Sequence, residues 1–285
     1  MEIDRPIFIV GSGRSGTTIF FRTLAKHKEL GYFSDYDLRF LRLFKLGVMP
    51  FLERNRFTRY IIEKVRPIKP AAESERVMEY CKISEKGIPL SENDAEDDTG
   101  QCLKKMIIKC LKYHKANRFL GKNTNDGMRI EFLNKIFPDS IFLHILRDGR
   151  ANVNSYLKVP FFYEIRFWWW NNKTFKDWIN EGRTPAELGA LHWKNNVIEI
   201  MRQSRCLPEG RYLEIKYEEF TENPKDCLKK VIEFCGLKWD KNFESSVETT
   251  QIKNMNFKWK NNLSFNERKV IESILHSLLK KLDYI

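Results

Sequence analysis

The stretch FIVGSGRSGTTIFFRTL, Phe8–Leu24, joins an apolar run to a glycine-rich turn and then to a helix-like segment. The run Pro6–Val10 (PIFIV) is short, apolar and β-branched, as in a strand buried on both faces of a parallel sheet. From Thr17 to Lys28, the residues Ile19, Phe20, Thr23, Leu24 and His27 recur at helical spacing. The glycines therefore sit where a strand ends and a helix begins. Consecutive backbone N–H groups and a helix N-terminus face one point there, which makes an anion site.

Three phosphate patterns compete for this loop. Gly11, Gly13 and Gly16 spell G-x-G-x-x-G, the dinucleotide fingerprint. That pattern needs an acid about 20 residues on to hold a ribose. Asp35 and Asp37 stand near that distance, but KELGYFSDYD makes a poor second strand. The triphosphate loop G-x-x-x-x-G-K-[ST] fits except that Thr17 replaces the lysine, and no acid-rich strand end offers a magnesium partner. The third pattern is a cradle for one phosphosulfate-like group. Arg14 supplies the charge, and Ser15, Gly16, Thr17 and Thr18 supply N–H and hydroxyl donors.

A second anion element lies downstream. SIFLHIL, Ser140–Leu146, reads as a strand, and Arg147 follows it directly. Ser155 stands eight residues further on, two helical turns away, so both can face one anion. RYLEIKYEEF, Arg211–Phe220, is a third strand candidate. NPKDCLKKVIEFCGL opens on Asn-Pro and closes on Gly236, a helix start and stop. Ser264 and Glu267 have capping-box spacing ahead of a C-terminal helix. Residues 36–66 and 101–114 read as helices, 91–100 as an acidic exposed loop or cap, and PFFYEIRFWWWNN, Pro160–Asn172, as an aromatic helix. Its Phe162, Ile165, Trp168 and Trp169 are expected to pack inward. Strands alternating with helices predict one α/β domain over 1–285 with a central parallel sheet, similar to P-loop nucleotide-binding folds.

Composition narrows the partners. Fifty Lys and Arg against 38 Asp and Glu give a formal charge of +12, which favours an anionic partner. No nucleic-acid readout motif accompanies the charge, so nucleic acid is not expected. The six cysteines form no C-x-x-C pair, and no histidine lies at zinc-ligand spacing, so no metal is expected. Cys102, Cys110 and Cys227 fall in helix-like segments, where cysteine serves as a small apolar residue. A reducing compartment is the simpler expectation. With no signal-peptide pattern and no apolar run of the roughly 18 residues a membrane span needs, the expected location is cytoplasmic.

Taken together, the two anion elements resemble the sulfotransferase superfamily, which uses 3′-phosphoadenosine 5′-phosphosulfate (PAPS). RSGTT, Arg14–Thr18, resembles that family's 5′-phosphosulfate loop. FPDSIFLHILRDGRA is similar to its FPDARFIHLIRDPRA, with Gly149 in place of the commoner proline, and Arg147 and Ser155 take the 3′-phosphate positions. YLEIKYEEFTENP resembles the Y-E-D-L-x-x-x-P stretch, whose tyrosine, here Tyr217, lies by the adenine. FKWKNNLS resembles the segment that closes over the cofactor, so Lys260, or else Lys258, is expected there. The resemblance spans roughly residues 5–265 and is weakest at 35–115 and 156–205, where the acceptor should bind.

The resemblance implies in-line transfer of a sulfonate to an acceptor hydroxyl, with a carboxylate base and no metal. The base position of the protein-tyrosine branch falls on Asp35, with Asp37 next. Other branches use a histidine in a later loop, but here that loop, GKNTND, has none. Its Lys122 is the expected charge near the bridging oxygen, alongside Arg14. The aromatic stretch points to a carbohydrate acceptor. Tyrosyl, lipid and phenolic acceptors, and an ATP-dependent small-molecule kinase, are the alternatives.

Overall fold

The computed structural model describes residues 2–33, 75–83 and 88–285. Its central sheet has five parallel strands in the order β2-β3-β1-β4-β7. These are β1 Ile7–Val10, β2 Leu30–Gly31, β3 Arg118–Lys122, β4 Ile141–Leu146 and β7 Tyr212–Lys216. A separate antiparallel ribbon pairs β5, Arg166–Phe167, with β6, Lys173–Thr174.

The central place of β1 follows from its sequence, since every residue from Ile7 to Val10 is buried. Side chains alternate across a strand. Ile7 and Ile9 therefore join one cluster with Phe20, Phe21 and Leu24 of the helix Thr17–Leu24. Phe8 and Val10 join the opposite cluster with Leu103, Met106 and Ile107 of the helix Asp97–His114. Each such large side chain taken out of water contributes about 1.5–3 kcal/mol. Helices thus cover both faces, the arrangement expected of a parallel sheet.

Register places the site. Ile9 pairs with Lys122, Val10 with His144, and Leu146 with Lys216. The carboxyl ends of β1, β3, β4 and β7 therefore lie in a row. From β1 the chain runs to β2 and β3 on one side, then to β4 and β7 on the other. Ligands of open α/β sheets bind at such a switch point, outside the carboxyl ends.

Several elements depart from the sequence expectations. The third strand stops at Lys216, and a helix, Tyr217–Glu222, begins where the strand was expected to continue. Of the loop or cap expected over 91–100, the structure takes the cap. Ser91 caps a 3₁₀ turn, Glu92–Asp94, and Asp97 and Asp98 open the long helix, where acids favour the N-terminus. The aromatic stretch is not one helix. It folds as 3₁₀ turns at Pro160–Tyr163 and Trp168–Trp170 joined through β5. Phe162 and Phe167 are buried, while Phe161 and Tyr163 are exposed. Pro224 opens the helix Pro224–Phe234, Gly236 follows it at φ +67°, and Ser264 and Glu267 form the expected capping box. The helix expected over 36–66 lies outside the described residues.

Cys102 is not the unpaired apolar residue expected. It forms a disulfide with Cys81, which follows the short helix Glu75–Tyr80. The partners stand 21 residues apart in sequence with their Cα atoms 5.5 Å apart. No spacing motif announces this pair, because two separate helices bring it together. The other four cysteines form no disulfide. No helix among the described residues is long and apolar enough to cross a membrane.

Candidate active site

A cleft of about 1760 Å³ opens at the carboxyl ends of the strands. The glycine loop forms its floor. Ser15 N–H donates to Ser12 C=O (3.2 Å), which closes the turn. Arg14 adopts a left-handed conformation, φ +66°, and Gly16 sits at φ +90°. A Cβ at Gly16 would overlap the Tyr217 ring, so only glycine fits there. Gly16 is the N-cap of the helix Thr17–Leu24, and no side chain caps that helix. Its first N–H groups are left for an anion.

The two anion elements meet directly. Arg14 Nε donates to Ser155 Oγ at 3.0 Å, across 141 residues of sequence. Arg147 Nη1 donates to the Arg14 carbonyl (2.9 Å), Nη2 to the Met255 carbonyl (3.3 Å), and Nε to Asn256 Oδ1 (3.1 Å). The Arg147 guanidinium lies over the Tyr217 ring, 4.6 Å from its centre. Burial lowers the Arg147 pKa, and the nearby Arg14 charge acts in the same direction. Two guanidinium groups gathered this way are relieved by an anion between them.

Lys122 ends β3, is buried, and donates from Nζ to Thr18 Oγ1 at 3.3 Å. Thr18 and Arg14 are exposed, while Ser15 and Thr17 are buried under the loop. The structure therefore brings Arg14, Gly16, Thr17, Thr18, Lys122, Arg147, Ser155 and Tyr217 to one cleft. Lys260 is not among the residues lining it. Its Nζ lies 5.8 Å from the Phe257 ring, on the helix Trp259–Asn262, and Lys258 lines the cleft instead. Asp35 and Asp37 lie outside the described residues.

Sequence reading missed the residues that brace the loop. Asn152 Nδ2 donates to the Gly13 carbonyl (2.9 Å) and to Ser15 Oγ (3.1 Å). Tyr156 places its hydroxyl 3.4 Å from Ser12 Oγ, and burial pushes its pKa up to about 12. Both lie on the helix Gly149–Tyr156 with Ser155. Asn152 and Tyr156 are four residues apart, so they share a helix face, and that spacing was the available signal. Asp148 caps the helix by accepting from Arg150 N–H (2.9 Å). On the opposite wall, Trp168 Nε1 donates to Asn196 Oδ1 (3.1 Å) and Trp169 Nε1 to His192 Nδ1 (3.3 Å). Trp168, His192 and Asn196 line the cleft, so Trp168 serves it as well as the core. No group of three or more metal-ligating side chains occurs among the described residues.

Residues 6–241 match the model of the Sulfotransferase family. The chain belongs to the sulfotransferase family. It is 25% identical over 237 residues to protein-tyrosine sulfotransferase 2 of Gallus gallus, covering 82% of this chain and 51% of that protein. This sulfotransferase chain thus spans about half the length of that relative. Among solved structures it resembles sulfotransferase STF9 from Mycobacterium avium, with a TM-score of 0.61 and 14% identity, covering 99% of this chain and 77% of the other. It also resembles the sulfotransferase domain of the Synechococcus PCC 7002 olefin synthase, with a TM-score of 0.51 and 16% identity over 96% of each chain. At these identities the solved structures speak for the fold.

Proposed function

We propose that this sulfotransferase-family chain moves the sulfonate of PAPS to an acceptor hydroxyl. The observation that carries the reading is the Arg14–Ser155 hydrogen bond, which joins the 5′ loop to the 3′ element. PAPS supplies an activated sulfonate, which gains a bond to the acceptor oxygen as its bond to the 5′-phosphate breaks. The residues present fit it. The uncapped helix N-terminus, Arg14 and Lys122 suit a 5′-phosphosulfate, and Arg147 with Ser155 suits a 3′-phosphate. Tyr217 is buried beneath Arg147 and borders the cleft where adenine is expected. Arg14 and the loop N–H groups stabilise charge on the leaving phosphate, and Lys122 adds its ammonium nearby. The acceptor proton goes to a carboxylate, assigned to Asp35 with Asp37 next.

Calorimetry separates this reading from an ATP-dependent kinase. Adenosine 3′,5′-bisphosphate should bind without metal. Binding of ATP-Mg²⁺ with no affinity for the bisphosphate would overturn it. The acceptor has two readings. Trp168 on the cleft wall suits a sugar ring, the carbohydrate reading. The likeness to protein-tyrosine sulfotransferases favours a tyrosyl hydroxyl. Radiolabelled PAPS offered to an oligosaccharide and a tyrosyl peptide in parallel decides between them by where the label appears.

A further inference from the structure

The main chain at Arg147–Asp148 is held from behind by a carboxylate that the site described so far does not use. Glu218 is half-buried and bridges two elements: Oε1 accepts the Asp148 N–H at 3.1 Å, and Oε2 accepts the Tyr284 O–H at 3.2 Å. Its neighbour Tyr217 stacks under the Arg147 guanidinium. Two consecutive side chains thus fix one two-residue segment, Tyr217 under the Arg147 guanidinium and the Glu218 carboxylate on the Asp148 N–H.

The Asp148 carboxylate is committed elsewhere. It accepts from Arg150 Nε (3.0 Å) and Nη2 (2.8 Å), and Arg150 also donates to the Tyr284 carbonyl (3.3 Å). Tyr284 is therefore bound at both ends, and Lys216 lies 5.0 Å from its ring centre. A carboxylate held mainly by neutral donors in a half-dry setting is costly to keep. Burial, with Asp148 adding to it, raises the Glu218 pKa. A group of that cost at this position fits a task that an apolar residue could not perform. It must accept the one N–H that follows Arg147.

We infer that Glu218 is a positioning residue that aims Arg147 at the 3′-phosphate, so that it sets the preference for adenosine 3′,5′-bisphosphate over adenosine 5′-phosphate. The inference rests on the reading of Arg147 given above. Tyr284 is the second arm of the device, because it orients the Glu218 carboxylate.

Calorimetry with both nucleotides on the full chain tests it. The wild-type chain should prefer the bisphosphate. Glu218→Ala should reduce that preference by at least about tenfold, or 1.4 kcal/mol, with 5′-phosphate affinity kept within about twofold. Glu218→Gln keeps an acceptor for Asp148 and should restore most of the preference. Tyr284→Phe should fall between, and both of these variants remain informative if the alanine variant fails to fold. A discriminating wild type with Glu218→Ala discriminating equally well, or, where that variant does not fold, with Tyr284→Phe discriminating equally well, overturns the inference alone. A wild type that binds both nucleotides equally overturns the reading of Arg147 and this inference with it.

Discussion

Arg147 commits three of its five N–H donors to the protein, at Asn256 and at the carbonyls of Arg14 and Met255. It is a staple between two loops as well as the proposed ligand of the 3′-phosphate. Arg147→Lys should therefore be severe, since a lysine has no planar fork to bridge those carbonyls. We expect bisphosphate affinity to drop by roughly 10- to 100-fold, with a lower melting temperature, read by calorimetry and thermal unfolding. Arg14→Ala should weaken binding similarly and leave the melting temperature nearly unchanged, because Arg14 is exposed. Gly16→Ala should abolish bisphosphate binding, as the added methyl collides with Tyr217 at a left-handed position. Unchanged affinity in a folded Gly16→Ala protein would refute that geometry. In the sequence Arg147 reads as a candidate ligand but not as a staple. Two of its partners are backbone carbonyls, and a carbonyl is the same at every residue, so no letter marks it.

The elements differ in how openly they declare themselves. β1 and β4 are apolar enough to be read from letters alone, and the strand order around β1 explains why distant residues share a cleft. β3 is harder, because RFLGK begins and ends on charges, both of them buried. Arg118 donates to the Arg5 carbonyl (2.9 and 2.6 Å) and to the Cys235 carbonyl (3.2 Å), partners more than 100 residues away. A pattern search sees the charges and not the carbonyls that accept them. The aromatic stretch misled for a related reason. Helical spacing was present, but Trp168 and Trp169 are set by Asn196 and His192 on another helix, Pro185–Gln203. The helix Gly149–Tyr156 depends on Asp148 at its N-cap. Asp148→Ala should cost about 1 kcal/mol of stability and also release Arg150, seen as a lower urea midpoint. An unchanged midpoint would show that the cap is dispensable.

At the scale of the whole molecule, acid should be the weak side. His144 is fully buried on β4, hydrogen-bonded to the Tyr212 hydroxyl at 2.6 Å, and burial lowers its pKa to about 3. Glu214 stands 3.9 Å away, but desolvation of the ring outweighs it. Burial lowers His192 to about 3 as well. In the unfolded chain both titrate near 6.5, so between about pH 3 and 6.5 the unfolded state binds more protons. Their contribution is complete above about pH 6.5 and is lost as pH falls. At pH 5 the loss is on the order of 2 kcal/mol per histidine. Urea unfolding at pH 7.5 and 5.0 should show the drop, and His144→Phe should leave only the His192 share of it. Equal midpoints at both pH values would contradict the buried neutral rings.

The Cys81–Cys102 bridge bears on how the protein must be made. It ties the short helix Glu75–Tyr80 to a longer one, and Glu79 and Lys82 beside it line the cleft. Closing a loop of this length stabilises the fold by about 3 kcal/mol, a contribution a reduced chain lacks. Such bonds persist where thiols are kept oxidised. Denatured protein that has seen no reductant should titrate four thiols, not six. The cellular redox state during synthesis would then be a determinant of the cleft's shape, set before any substrate arrives.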